Sequence, residues 1–253
     1  MRHFLRSSSV ASVPSIIAAI ALLLVLNPVA AGAQSRSPIR LLFIGNSLTS
    51  VNDLPSMVRR IAEMDGVTVT TTMVALDDAS LEDHWKHGGA GRQIQKGQWD
   101  FVILQQGPSA LPESRVLLRE YVRRFAEVIQ SAGARPALYM VWPSLAQRGD
   151  FDRVSQSYRI AATDVSGLLL PVGDAWQAAW KTNARAALYS SDNFHPSSKG
   201  SWLAALVIYC RLTDRAPADI TKFPRGFPAN PDPLITAATA ALTREPGPAT
   251  RSR

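Results

Sequence analysis

One cysteine, Cys210, stands in a chain of 253 residues, so no disulfide framework can form within it. Its stability must come from a packed core, and an apolar fraction of 46% is ample for one. Cys210 itself lies in the apolar run Leu203 to Leu212 and is expected to be a small buried hydrophobe. Charge is modest at 19%, and the excess of bases that gives a net +7 is scattered over Arg59, Arg60, Arg119, Arg123, Arg124, Arg244, Arg251 and Arg253. Without a Lys/Arg stripe and interleaved aromatics there is nothing to track a phosphate backbone, which excludes nucleic acid as a partner. The length fits one large domain.

A long hydrophobic run is also missing. The run Ile16 to Leu26 is about 11 residues, short of the roughly 20 a membrane-spanning helix needs. With Arg2, His3 and Arg6 before it and Ala31-Gly32-Ala33 after it, this segment reads as a signal peptide over 1–33, with an uncleaved anchor as the alternative. Cleavage after Ala33 would begin the mature chain at Gln34, outside the cytoplasm: periplasmic or secreted, with no stable membrane insertion. It would remove two arginines and no acid, leaving the chain mildly basic. No cysteine near the cut offers a lipid attachment point. A phosphate loop is absent as well. Gly88-Gly89-Ala90-Gly91 has no strand directly before it and no Lys-Ser/Thr after it, so it reads as a flexible linker before a short helix.

What remains is an alternation of strand-like and helix-like segments. Ile39 to Ile44, Val67 to Val74, Phe101 to Leu104, Ala137 to Trp142 and Leu168 to Val172 have the length and β-branched content of strands. Leu54 to Met64, Glu113 to Ala132 and Phe151 to Ser166 carry apolar residues at helical spacing. The pattern predicts a three-layer α/β domain over 34–215, with about five parallel strands and helices on both faces. Beyond a last helix near Ser198 to Leu212 come a Pro-rich extension over 216–243, with a short helix from Leu234 to Leu242, and a disordered tail over 244–253. Trp142, Trp176, Trp180 and Trp202 sit in apolar contexts and are expected in the core.

Ligands of such sheets sit beyond the carboxyl ends of the strands, which directs attention to the residues there. The first strand runs into Gly45-Asn46-Ser47-Leu48-Thr49, where Ser47 opens the loop into a helix and Gly45 permits close backbone approach. A serine nucleophile needs a base, and beyond the leader only His84, His87 and His195 are available. In Asp192-Asn193-Phe194-His195 an acid lies three residues before a histidine, so one turn can present both to the same cleft, with Pro196 and the helix start at Ser197 or Ser198 fixing the loop. His84 and His87 share a helix face with Asp83 nearby, but no third cluster of ligands exists, so no metal and no cofactor are expected. His84 and Trp85 read instead as a polar wall and stacking surface of a substrate pocket, with Asn46 beside them.

The two blocks Gly45-Asn46-Ser47-Leu48-Thr49 and Asp192-x-x-His195-Pro196, in this order, resemble the SGNH hydrolases, also called GDSL-type esterases and lipases. The resemblance spans roughly Ile39 to Leu212. It implies a flavodoxin-like sheet and acyl-ester hydrolysis with Ser47 as nucleophile, His195 as base and Asp192 as its acid partner. It also implies an oxyanion hole made by the Ser47 N–H, a backbone N–H after the second strand and a side-chain donor after the third. Here Asp78 or Ala79 stands where that family has glycine, and Ser109 where it has asparagine. Gln105, then Gln106, is the better amide donor, and a glutamine there resembles branches acting on acetylated carbohydrates. The expected substrate is therefore a small-molecule or polysaccharide ester. A lipase or lysophospholipase on the same residues, and a non-catalytic carbohydrate-binding protein of the same fold, are the alternatives.

Overall fold

The computed structural model describes residues 37–244, together with Met1 and His3. The expected leader, its cleavage site and residues 245–253 of the expected tail lie outside the described residues.

Five strands form one sheet: β1 (Ile39–Gly45), β2 (Val69–Ala75), β3 (Phe101–Leu104), β4 (Arg135–Tyr139) and β5 (Leu168–Leu170). All pair in parallel, in the order β2-β1-β3-β4-β5. Leu41, Leu42, Phe43 and Ile44 are all buried, as are the four residues of β3, because helices cover both faces of these strands. The Thr-rich β2 lies at the sheet's edge and is only partly covered. Strand β4 is shorter at its end than the apolar run suggests. Pairing with β5 stops at Tyr139, and Met140 to Trp142 continue as buried chain beyond the sheet.

The helices in chain order are α1 (Ser47–Ser50), α2 (Leu54–Met64), α3 (Leu81–His87), α4 (Gly89–Lys96), α5 (Pro112–Ser131), α6 (Phe151–Asp164), α7 (Val172–Thr182), α8 (Ser198–Thr213) and α9 (Asp232–Leu242). Helices α3 to α6 pack as one group, and α2, α7 and α9 pack around α8. Every residue of α8 from Gly200 to Leu212 is buried, Cys210 among them, as expected of a helix that is apolar on all sides. Gly200 is what lets it approach so closely. A Cβ there would stand 2.3 Å from the Leu188 carbonyl oxygen and 2.6 Å from the Trp176 ring.

One local reading changes, and two packed segments add to the expected pattern. The Gly88–Gly91 segment is not a linker, because α4 already begins at Gly89 and only Gly88, left-handed at φ 70°, separates it from α3. Helix α7 follows β5 almost at once and places Val172, Ala175, Trp176 and Ala179 on a buried face. The segment after α8 packs back onto the domain, with α9 against α7 and α8. The four tryptophans expected in the core are buried, and Trp142 stacks on Trp176 with ring centroids 3.6 Å apart. Among the described residues no helix is long and apolar enough to cross a membrane.

The chain leaves β1 for the edge at β2 and then returns past β1 to β3. That reversal opens a crevice at the carboxyl ends of β1 and β3.

Candidate active site

Asn46 turns the chain out of β1. Its backbone is extended, and its Oδ1 accepts from the Leu48 N–H at 3.1 Å, capping α1, whose first residue is Ser47. Asn46 Nδ2 donates to the Ala79 carbonyl at 3.0 Å, tying this turn to the loop after β2. Ser47 is half-buried, and its hydroxyl donates to His195 Nε2 across 2.9 Å. His195 Nδ1–H donates to Asp192 Oδ2 at 2.6 Å, which fixes the tautomer that leaves Nε2 as an acceptor.

Asp192 is itself held in place. Its Oδ1 accepts from the Phe194 N–H at 2.9 Å, the Ser190 hydroxyl at 2.7 Å and the His195 N–H at 2.9 Å. The Phe194 N–H, the Ser190 hydroxyl and the His195 ring hold this carboxyl well below the usual carboxylate range. Its contribution to stability is therefore complete above about pH 4 and is lost as pH falls through the lowered folded value. The same ionisation predicts a pH profile. Asp192 stays charged throughout the ordinary carboxylate range, so its protonation should add no second proton to the acid limb of kcat/KM. A limb of slope two in that range would show that the carboxyl titrates there after all.

The loop carrying His195 is anchored at four successive carbonyls. Asn193 O accepts from the Leu145 N–H at 2.8 Å, Phe194 O from Trp142 Nε1–H at 3.0 Å, His195 O from the Ser190 N–H at 2.8 Å and Pro196 O from Asn52 Nδ2–H at 3.1 Å. Pro196 also bridges to Tyr189, and Ser197 caps α8 by accepting from the Gly200 N–H.

Behind Ser47 lies a second network. Gln105 Oε1 accepts from the Asn46 N–H at 2.8 Å and the Thr49 hydroxyl at 2.7 Å, while its Nε2 donates to Asn46 Oδ1 and Gln106 O, both at 2.9 Å. Gly45 is small because of this approach: a Cβ there would stand 2.3 Å from Gln105 Oε1 and 2.5 Å from Thr49 Oγ. Gln106 Oε1 accepts from the Leu81 N–H, and its Nε2 donates to Ser109 Oγ at 3.0 Å. The buried Tyr158 hydroxyl of α6 holds the Gln106 and Gly107 carbonyls. This imidazole can take the Ser47 proton as the oxygen attacks an electrophile, with Asp192 stabilising the imidazolium that forms.

A protein from Slackia heliotrinireducens assigned to the SGNH hydrolases is 30% identical to this chain, over 68% of this chain and 97% of that one, with a TM-score of 0.56. The chain belongs to the SGNH hydrolases. A DUF4886 family protein from Bacteroides uniformis shares the SGNH chain's fold at a TM-score of 0.70 and 19% identity, covering 81% of this chain and 94% of the other. The acetyl xylan esterase AlAXEase does so at 0.57 and 15%, covering 68% and 98%. No family model and no curated protein matches the sequence.

In this SGNH hydrolase several residues expected to face substrate point inward. His84 is buried, and its Nε2–H donates to the Gly45 carbonyl at 2.8 Å, so it braces the strand end beneath Ser47 instead of lining a pocket. Burial pushes its imidazole below the ordinary range. Trp85 is partly buried, meets Phe125 edge-on at 5.2 Å and has the Arg124 guanidinium over its ring, so part of the ring is taken up within the α3–α5 packing. Asn46 is buried, with its amide spent on Leu48, Ala79 and Gln105. Gln105, the first choice for the amide donor, has both amide hydrogens engaged within the turn. The Ser109 hydroxyl is spent on Gly107 O and Gln106, on a backbone with φ 57°. Asp78 is exposed and left-handed, at φ 55°. Asn52, Thr49, Trp142 and Tyr158 also brace the site; of these, the sequence points to Thr49 only as part of the first block and to Trp142 only as core. The Ser80-x-x-Asp83 capping box that sets the phase of α3, and so turns His84 inward, was a readable signal.

Proposed function

We propose that this SGNH hydrolase is an exported serine esterase that removes acetyl or other short acyl groups, from a carbohydrate. The continuous line from Ser47 Oγ through His195 to Asp192 carries the reading. His195 takes the proton as Ser47 attacks the ester carbonyl, then returns it to the leaving alcohol. Water repeats the sequence on the acyl-enzyme. The side chains of His195 and Asp192 are 28% and 49% exposed, so a large sugar ester can reach them without a deep tunnel.

The tetrahedral oxyanion needs donors. The Ser47 N–H, first in α1, has no acceptor within its own helix. The second amide hydrogen of Gln106 and the Asp78 N–H are the other donors we assign. The carbohydrate ester is supported by the acetyl xylan esterase among the structural neighbours and by the glutamines after β3. Export rests on the apolar run behind Arg2 and Arg6.

The test is turnover by the chain from Gln34 on p-nitrophenyl esters of increasing acyl length and on acetylated xylo-oligosaccharides. Acetate release from the sugars with a preference for short p-nitrophenyl esters is expected. Turnover confined to long acyl chains would put a lipase in its place, and no turnover of any ester would overturn the reading.

A further inference from the structure

Asn52 joins the two halves of the site. It stands five residues after Ser47, and its Nδ2 donates to the carbonyl of Pro196, the residue after His195, at 3.1 Å and to Ser201 Oγ of α8 at 2.9 Å. The chain from Ser47 to α2 and the loop bearing His195 are 144 residues apart in sequence at this bond. No other side chain links the segment just after Ser47 directly to the carbonyl next to His195 among the hydrogen bonds of the described residues.

The backbone at Asn52 is left-handed, at φ 61° and ψ 12°, and Asp53 after it is left-handed too. Asparagine tolerates that region better than most residues, but glycine tolerates it better still. A position selected for the turn alone would be served best by glycine. The asparagine amide adds what glycine cannot: a donor aimed at the loop that carries the base.

We infer that Asn52 is a positioning residue that sets the distance between Ser47 and His195 by holding the Pro196 carbonyl. The inference rests on the reading of Ser47 as nucleophile and His195 as base. Trp142 holds Phe194 O on the other side of His195, so the imidazole is bracketed by two side-chain donors from separate elements. Losing one bracket lets the ring move, and a displacement of about 1 Å at a reacting pair can lower the rate by about 10²-fold.

Asn52→Gly keeps the left-handed turn and removes the amide. Asn52→Asp keeps the shape and replaces the donor with an oxygen that repels Pro196 O. The measurements are the labelling rate of Ser47 by a fluorophosphonate, kcat and KM on p-nitrophenyl acetate, the melting temperature, and the downfield NMR signal of the His195 Nδ1 proton. Both variants should stay folded, label about 10- to 100-fold more slowly than wild type, and lose kcat with KM nearly unchanged. The Nδ1 proton signal should shift or broaden in both.

Wild-type labelling and kcat in folded Asn52→Gly would show that the residue only shapes the turn and would overturn the inference. Failure of both variants to fold would overturn it too, because the role would then be structural. If wild type itself is not labelled, the serine-esterase reading fails instead. The proton signal still decides the placement of His195 in that case: unchanged in Asn52→Gly, it counts against Asn52.

Discussion

Ser47→Ala should abolish nearly all ester hydrolysis, lowering kcat by about 10⁴-fold or more, with the protein still folded. The fold should survive because the Ser47 hydroxyl has His195 as its partner and sits half-exposed in a short helix, where alanine is well tolerated. His195→Ala should lose as much. Asp192 would still accept from Ser190, Phe194 and the His195 N–H, so the loop should hold its shape without the ring. Groups that act as one unit do not add, so the double variant should be no slower than either single one. Steady-state kinetics on one p-nitrophenyl ester, with circular dichroism to verify folding, tests all three. An active Ser47→Ala protein would remove the nucleophile from the proposal.

Sequence and structure agree where the determinant is local. In the run Ile39 to Ile44, the four residues Leu41 to Ile44 read as a buried strand because both faces meet helices, and only Arg40, near the strand's start, is charged and exposed. Asp192 and His195 could be picked out as a pair because three residues and one turn suffice to bring them together. Ser47 could be picked out because a strand end followed by a helix start is a short-range pattern. The roles of Gln105 and Gln106 could not be separated in this way. Alternation along a strand says that neighbours point to opposite sides, but which side meets the Ser47 turn depends on how β3 pairs with β1, and that is set by the whole sheet. The bracing roles of Asn52 and Trp142 could not be read for a related reason: their partners are carbonyls 144 and 52 residues away, and a backbone acceptor leaves no signature in the sequence.

The sharpest remaining contrast is between the two glutamines. Gln106→Ala should lower kcat by about 10²- to 10³-fold with little change in KM, because an amide aimed at the developing oxyanion contributes mainly in the transition state. Gln105→Ala should behave differently. It strips the acceptor from the Asn46 N–H and the Thr49 hydroxyl, both buried, and each orphaned group costs about 1–3 kcal/mol. The expected result is a lower melting temperature together with a fall in kcat, as the Ser47 turn loosens. Ser109→Ala removes only the hydroxyl between Gln106 and Gly107 and should be the mildest of the three. Gln106→Glu sharpens the comparison, since it keeps an acceptor for the Leu81 N–H while turning the donor into a charge that repels the oxyanion. If Gln106→Ala and Gln106→Glu both keep near wild-type kcat, the oxyanion is held by backbone N–H groups, with Ser47 and Asp78 the donors to pursue. If Gln105→Ala instead loses kcat at an unchanged melting temperature, an amide of Gln105 must leave Asn46 when substrate binds, and the donor role returns to that residue.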